Sequence, residues 1–194
     1  ILTGCMVQAF SSEAQALSEA DIVAGNTDVE KIVSYAEKFA LDGERIFSVS
    51  PHGKKERFNT PTLTDFAERT RAYMKIEDGC ERFCTYCIIP TARGFVRSKP
   101  VEEIKAEAEK LADAGFSEIV LVGINLTSYG KGEEINLCDA VSAVCSVDGI
   151  KRVRLGSLEP DHMSDEMLKR LSEEEKFCPQ FHLSLQSGCD ETLK

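Results

Sequence analysis

Cys80, Cys84 and Cys87 stand in the run Asp-Gly-Cys-Glu-Arg-Phe-Cys-Thr-Tyr-Cys, a C-x3-C-x2-C triplet. Thiolates are soft ligands that suit iron, and a short loop carrying three of them can wrap one corner of a [4Fe–4S] cube. Three thiols hold three irons and leave the fourth open to bind and activate a small molecule. A structural zinc site asks for four ligands, usually in paired C-x2-C knuckles, and no second pair is present. His52, His162 and His182 lie far from the triplet in sequence. A non-catalytic iron–sulfur or zinc module is the alternative of another class.

A loop of this kind needs a scaffold, and the flanking sequence supplies one. Residues 72–77 alternate like a strand and lead straight into the cysteines. Pro100 opens an amphipathic helix with Ile104, Ala108, Leu111 and Ala112 on one face and Gly115 as its stop. Residues 118–123 (Glu-Ile-Val-Leu-Val-Gly) form a buried strand, 137–145 a helix, 152–156 a third strand, 164–171 a helix capped by Ser164, and 181–186 a fourth strand. Repeated βα units with apolar strands predict a parallel sheet or part of a (β/α) barrel. Reactive groups in such barrels gather at the C-terminal ends of strands. That places the cysteines after the first strand, Gly123-Ile124-Asn125 after the second, Ser157-Leu158-Glu159-Pro160 after the third and Gln186-Ser187-Gly188 after the fourth.

The residues before this unit read as the end of another α/β unit. Residues 1–3 are a strand, Gly4-Cys5 a turn, 11–20 a helix with Ser11 or Ser12 as N-cap, and 22–26 a strand. Thr27-Asp28 then caps a helix to about Leu41. Periodicity fades from 42 to 65, which predicts a linker or surface crossing. The division expected is 1–55 for the first unit, 56–70 for the linker and 71–194 for the second. A start in mid-strand and a finish in the first turn of a helix predict a fragment with both ends missing.

The chain has 194 residues, 42% of them hydrophobic, and a formal net charge of −10. No apolar run approaches the ~20 residues that span a bilayer, and the N-terminus does not read as a signal peptide. Eight cysteines, three of them clustered, on a chain with long charged helices point to metal-binding thiols in a reducing cytoplasm rather than a disulfide scaffold. Acidic balance ordinarily opposes nucleic-acid binding. Local basic groups at Arg93, Arg97 and Lys99, and at Lys151, Arg152 and Arg154, leave an RNA substrate open. Cys138, Cys145, Cys178 and Cys189 carry no ligand spacing, and the first two fit a helix's packed face. His182 alternates with strand residues and reads as a core or barrel-lining histidine.

The triplet, with the aromatic Tyr86 before its last cysteine, resembles the radical S-adenosylmethionine superfamily. The following Cys87-Ile-Ile-Pro-Thr-Ala-Arg-Gly94 with Arg97-Ser98 resembles its methylthiotransferases. Gly123-Ile-Asn-Leu-Thr-Ser-Tyr-Gly130, Arg154-Leu-Gly-Ser-Leu-Glu-Pro160 and Ser184-Leu-Gln-Ser-Gly188 look most like the branch acting on threonylcarbamoyl-adenosine in tRNA. The resemblance covers essentially the whole chain. It implies an α/β N-terminal domain piece followed by a partial radical-type barrel, and methylthiolation at C2 of N6-threonylcarbamoyl-adenosine next to the anticodon. Isopentenyl-adenosine in tRNA, or a ribosomal-protein aspartate, is the alternative substrate. Cys80, Cys84 and Cys87 are implied as ligands of the catalytic [4Fe–4S] cluster that binds S-adenosylmethionine, with Tyr86, Gly123, Asn125, Ser157, Glu159 and Gln186 as candidate cofactor contacts. Arg93 and Arg97 are candidates for an RNA phosphate or a cofactor carboxylate. Thr3-Gly4-Cys5-Met6 resembles the segment carrying the third cysteine of an auxiliary cluster, so Cys5 is implied as a ligand of a second [4Fe–4S] cluster in a complete protein. A reductant such as flavodoxin or ferredoxin is implied as well. The sulfur donor is not implied by any residue.

Overall fold

A computed structural model describes every residue except 54, 55, 61, 64, 65, 67, 68 and 194. Its elements run in the order β1 (Leu2–Thr3), α1 (Cys5–Ala9), α2 (Ser11–Ala16), β2 (Ile22–Ala24), α3 (Ile32–Asp42), β3 (Ile46–Ser48), β4 (Ala72–Lys75) and β5 (Glu77–Asp78). There follow α4 (Ile89–Arg93), β6 (Arg97–Ser98), α5 (Val101–Asp113), β7 (Glu118–Val122), α6 (Leu137–Cys145), β8 (Arg152–Leu155), β9 (Ser157–Leu158), α7 (Asp165–Ser172), β10 (His182–Leu183) and α8 (Asp190–Leu193). Contacts divide the chain into two compact units, residues 1–56 with 79–95, and residues 57–78 with 96–194. No helix among the described residues is long and apolar enough to cross a membrane.

The first unit carries a parallel sheet in the order β1-β2-β3 over a small core of Val7, Ala14 and Val23. Its strand β3 lies inside the stretch expected to be a linker. Three residues are too few to show a period, and β3 exists because β2 offers it a partner. The helix expected at 11–20 stops at Ala16, where Leu17 turns extended. Arg45, across the sheet, donates to the carbonyls of Gln15, Leu17 and Ala20 at 2.9, 2.7 and 2.9 Å, which meets the carbonyls left over at a helix end. Neither Ser11 nor Ser12 caps that helix; Phe10 holds the N-cap position without a side-chain bond. Cys5 is not in a turn but opens α1. Asp28 does not cap a helix either. It sits in a 3-10 segment, Asn26–Lys31, and its buried carboxylate accepts from Lys31 Nζ at 2.7 Å and from the Ser48 hydroxyl at 2.8 Å.

The second unit is built on parallel strands in the order β4-β7-β8, with Met74 beside Leu121 and Leu121 beside Leu155. Ile119 and Leu121 turn to one face and meet Ile104, Ala108 and Leu111 of α5 and Val141 and Val144 of α6. The strand and helix periods therefore deliver their apolar residues to one core, and each fully buried Leu or Ile contributes roughly 1.5–3 kcal/mol. Local signals set the helix ends. Gly115 takes φ 92° after α5, and Phe116 N–H returns to Leu111 O at 3.0 Å. Asn136 and Asp139 form a capping box on α6, and Ser164 caps α7 by accepting from Met167 N–H at 3.1 Å. Of the linker expected at 56–70, Glu56 belongs to the first unit and the described residues from Arg57 on belong to this one, as the edge-on Phe66–Phe116 pair shows; 61, 64, 65, 67 and 68 lie outside the described residues.

Two strands differ from expectation. The strand expected at 72–77 ends at Lys75, and Glu77–Asp78 turn away to pair antiparallel with Arg97–Ser98. That short ladder forms a neck from which the segment carrying the cysteines departs. The strand expected at 181–186 shrinks to His182–Leu183, which pair in parallel with Ser157–Leu158. It has a partner on one side only, and His182 is exposed rather than lining a core. Cys138 and Cys145 are buried on α6, as expected of packed thiols.

Candidate metal centre and strand-end loops

The triplet lies in a segment with no regular structure until α4 begins at Ile89. Two glycines in left-handed conformations close its base. Gly79 at φ 91° and Gly94 at φ 71° let Cys80 N–H reach Gly94 O at 3.0 Å. Farther out, Cys87 N–H donates to Cys84 O at 2.9 Å, a turn that brings two of the cysteines into adjacent positions. Cys84 is exposed, Cys80 and Cys87 are half-buried, and Tyr86 is 76% exposed. Free thiols on one turn-rich loop are the donor set that iron requires. Their side chains do not converge: among the described residues no three His, Cys, Asp or Glu groups stand where they could hold one metal ion.

The end of this segment is anchored within the first unit. Ala92 O, in α4, accepts from Asn26 Nδ2 at 2.7 Å, and His52 Nε2 lies 3.1 Å from the same oxygen. The His52 side chain packs against Gly94, where a Cβ would stand 2.6 Å from His52 Cβ and 2.8 Å from its ring. Cys5, half-buried at the start of α1, has its sulfur 4.0 Å from Asn26 Nδ2. Helix α1 packs on α4, so Cys5 and the triplet belong to one compact unit. Asn26 and His52 carried no signal in the sequence, since neither stands in a motif nor near the cysteines.

The remaining candidates lie in the second unit. Gly123 and Asn125 follow β7, Ser157 and Glu159 follow β8, and Gln186 follows β10 with φ 64°. Asn125 is buried, with its Oδ1 accepting from the Thr127 hydroxyl at 3.0 Å. Ser157 is exposed, and its hydroxyl lies 3.4 Å from His182 Nδ1. Arg97, a candidate for a phosphate or carboxylate, instead stands 3.4 Å from Asp78. Arg152 and Arg154 are likewise engaged, both donating to Glu118 at 2.7 and 2.8 Å.

Sequence reasoning passed over Glu77, the most constrained polar group near these loops. It is fully buried, and its Oε2 accepts from Asn125 N–H at 2.8 Å, with the Ile124 amide also acting on the carboxyl. Its Oε1 is buried and has no hydrogen-bond partner among the described residues. The available signal was a carboxylate beside the wholly buried Ile76, where an apolar strand should end. Burial is the main cause that pushes the Glu77 carboxyl up to about 7, and Asp78 adds to it against the pull of the two amides. A carboxyl raised in the fold stabilises it fully below its unfolded value near 4.5, and loses that contribution as pH rises through about 7. Compared with Glu77→Gln, the unchanged protein is expected to lose roughly 3 kcal/mol of stability between pH 4.5 and pH 8. Urea unfolding of both proteins across that range measures the difference, and parallel stability curves would refute it.

A family model described as the Radical SAM superfamily matches residues 74–194. Over its whole length the chain is 37% identical to the threonylcarbamoyladenosine tRNA methylthiotransferase MtaB of Bacillus subtilis and 38% identical to that of Aquifex aeolicus, covering 43% and 47% of those proteins. It is 36% identical to the tRNA-2-methylthio-N(6)-dimethylallyladenosine synthase of Clostridium novyi, again over the whole chain, covering 44% of that protein. The chain thus spans under half the length of these curated relatives. A solved radical S-adenosylmethionine methyltransferase, TsrM from Kitasatospora setae, aligns over 59% of this chain and 22% of its own at 15% identity, with a TM-score of 0.48.

Proposed function

We propose, for a chain that belongs to the Radical SAM superfamily, that the complete protein methylthiolates C2 of N6-threonylcarbamoyl-adenosine in tRNA. The observation that carries this reading is the triplet on its exposed loop, in a chain whose whole length aligns with part of two tRNA methylthiotransferases of that specificity. The dimethylallyladenosine synthase at 36% identity makes the isopentenyl-type adenosine the second substrate to test.

Superfamily membership brings a [4Fe–4S] cluster and S-adenosylmethionine, and the cluster when bound supplies the open iron and the electron that cleaves its ligand. In this reading Cys80, Cys84 and Cys87 hold that cluster. Because their side chains do not converge, the loop has to tighten around the metal, and its exposed turn between Cys84 and Cys87 leaves it room to do so. Gly94 and Ala92, fixed by Cys80, Asn26 and His52, provide the anchored end of that loop. Tyr86 flanks the cluster ligands. Gly123 and Asn125, with Ser157, Glu159 and Gln186, offer backbone and side-chain groups at strand ends for the cofactor or the nucleoside. Cys5 belongs to a second, sulfur-handling cluster in the complete protein, whose organisation is residues 1–55 as the end of the auxiliary domain, 56–70 as a linker and 71–194 as part of the barrel.

All eight cysteines are free thiols, which supports a reducing cytoplasmic setting. A low-potential electron carrier such as flavodoxin or ferredoxin is the expected reductant. The test is mass spectrometry of tRNA nucleosides from a strain lacking the gene. The methylthio group is expected to vanish from threonylcarbamoyl-adenosine and remain on isopentenyl-adenosine. Loss from the second nucleoside alone overturns the substrate assignment, and loss from neither, with no paralogue present, overturns the reading as a whole.

A further inference from the structure

Glu77 and the Gly123–Asn125 loop are 46 to 48 residues apart in sequence, yet they are built around each other. The carboxylate sits under the loop and draws the Asn125 amide onto Oε2 at 2.8 Å, with the amide of Ile124 beside it adding to the pull on the carboxyl. Gly123 makes the approach possible, because a Cβ at that position would stand 2.5 Å from Oε2, 3.0 Å from Glu77 Cβ and 3.3 Å from Glu77 O. Asn125 is in turn held by Thr127, which fixes the loop from its other side. A backbone donor held by a buried acceptor, in a loop whose glycine packs on the same carboxyl, restricts the rotation of the loop's peptide planes. The glycine here answers a need for space rather than for an unusual backbone angle.

The geometry points to Glu77 as the positioning residue of the loop after β7, holding Gly123 and Asn125 in the arrangement that receives S-adenosylmethionine. This rests on the reading of that loop as a cofactor contact. Glu77 does not touch the reacting atoms. It acts through the loop's backbone, and the requirement is for an acceptor oxygen at the Oε2 position. Glutamine supplies one and leucine does not. Among the described residues the second oxygen has no partner that glutamine would lose.

Amide hydrogen exchange of the full-length reconstituted protein separates the roles, together with its affinity for S-adenosylmethionine. Glu77→Gln is expected to keep both the protection of the Ile124 and Asn125 amides and the affinity within about twofold. Glu77→Leu is expected to speed exchange at those two amides by about tenfold or more, leave Leu121 and Val153 unchanged, and weaken S-adenosylmethionine about tenfold at unaltered iron content. Unchanged exchange at Ile124 and Asn125 in the leucine variant overturns the positioning role. Faster exchange with unaltered affinity sustains that role, and overturns instead the reading of the loop as a cofactor contact. Should Glu77→Leu fail to fold, Gly123→Ala gives an independent route. Alone it is expected to loosen the same amides, and placed on Glu77→Ala it is expected to cost far less, because Oε2 is no longer in its way. Additive effects of those two changes overturn the proposal.

Discussion

Cys84→Ser is expected to abolish the electron paramagnetic resonance signal that S-adenosylmethionine perturbs in the reduced, reconstituted protein, and reductive cleavage of the cofactor with it. Removing one of three ligands leaves two thiolates, so a second iron of the cube loses its protein ligand. The fold itself should barely respond. Cys84 is exposed, and what the structure asks of it is its carbonyl, which accepts from Cys87 N–H at 2.9 Å and survives the exchange of sulfur for oxygen. Thermal unfolding of the metal-free variant is accordingly expected within about 0.5 kcal/mol of the parent. A wild-type protein that takes up stoichiometric zinc and shows no iron chromophore would sink the cluster assignment outright.

The second large effect concerns the base of the same loop. Gly79→Ala is expected to destabilise the protein by about 3–5 kcal/mol, through two penalties that add. At φ 91° an L side chain is strained wherever it points. Its Cβ would also stand 2.0 Å from Phe95 O and 2.9 Å from Gly94 O, both backbone atoms that cannot swing aside. Relieving the clash means opening the loop, which costs the Cys80–Gly94 hydrogen bond and the spacing of the first ligand. Gly43→Ala isolates the two terms. Gly43 has φ 68° with nothing within 4 Å of a Cβ, so it should lose only the conformational part, about 1 kcal/mol. Chemical denaturation of both variants gives the comparison, and equal losses would show that Gly79 is needed for its backbone angle alone.

The parts of the fold that the sequence disclosed are those written in short-range spacing. Helix α5 was readable because its apolar residues recur at the helical period and Gly115 ends it; α6 was readable with Cys138 and Cys145 on its packed face, and α7 through the Ser164 cap. Strand β7 stood out as an apolar run. Where several weak local signals compete, the reading slipped. Ser11, Ser12 and Asp28 are all plausible caps by type, but Asp28 is taken by Lys31 and Ser48, and Phe10 holds the N-cap position of α2. The strand at 181–186 carried the right alternation and nevertheless pairs at only two residues, because pairing depends on what its neighbour offers.

The candidate site divides in the same way. Three cysteines at fixed spacing, followed by Pro-Thr-Ala-Arg-Gly, name a chemistry by themselves, since ligand type and local reach are properties of a few adjacent residues. The sequence alone also placed Gly123, Asn125, Ser157, Glu159 and Gln186 at or just beyond strand ends. Tertiary structure decided the rest. It joined the cysteine segment to the unit that contains Cys5, set Asn26 and His52 on the carbonyl of Ala92, and paired Arg97 with Asp78. It also slid Glu77 beneath a loop 46 to 48 residues away, over a glycine that leaves room for it. Such contacts follow from which strands lie side by side, and strand order is fixed by the burial of the whole core rather than by any local run of residues.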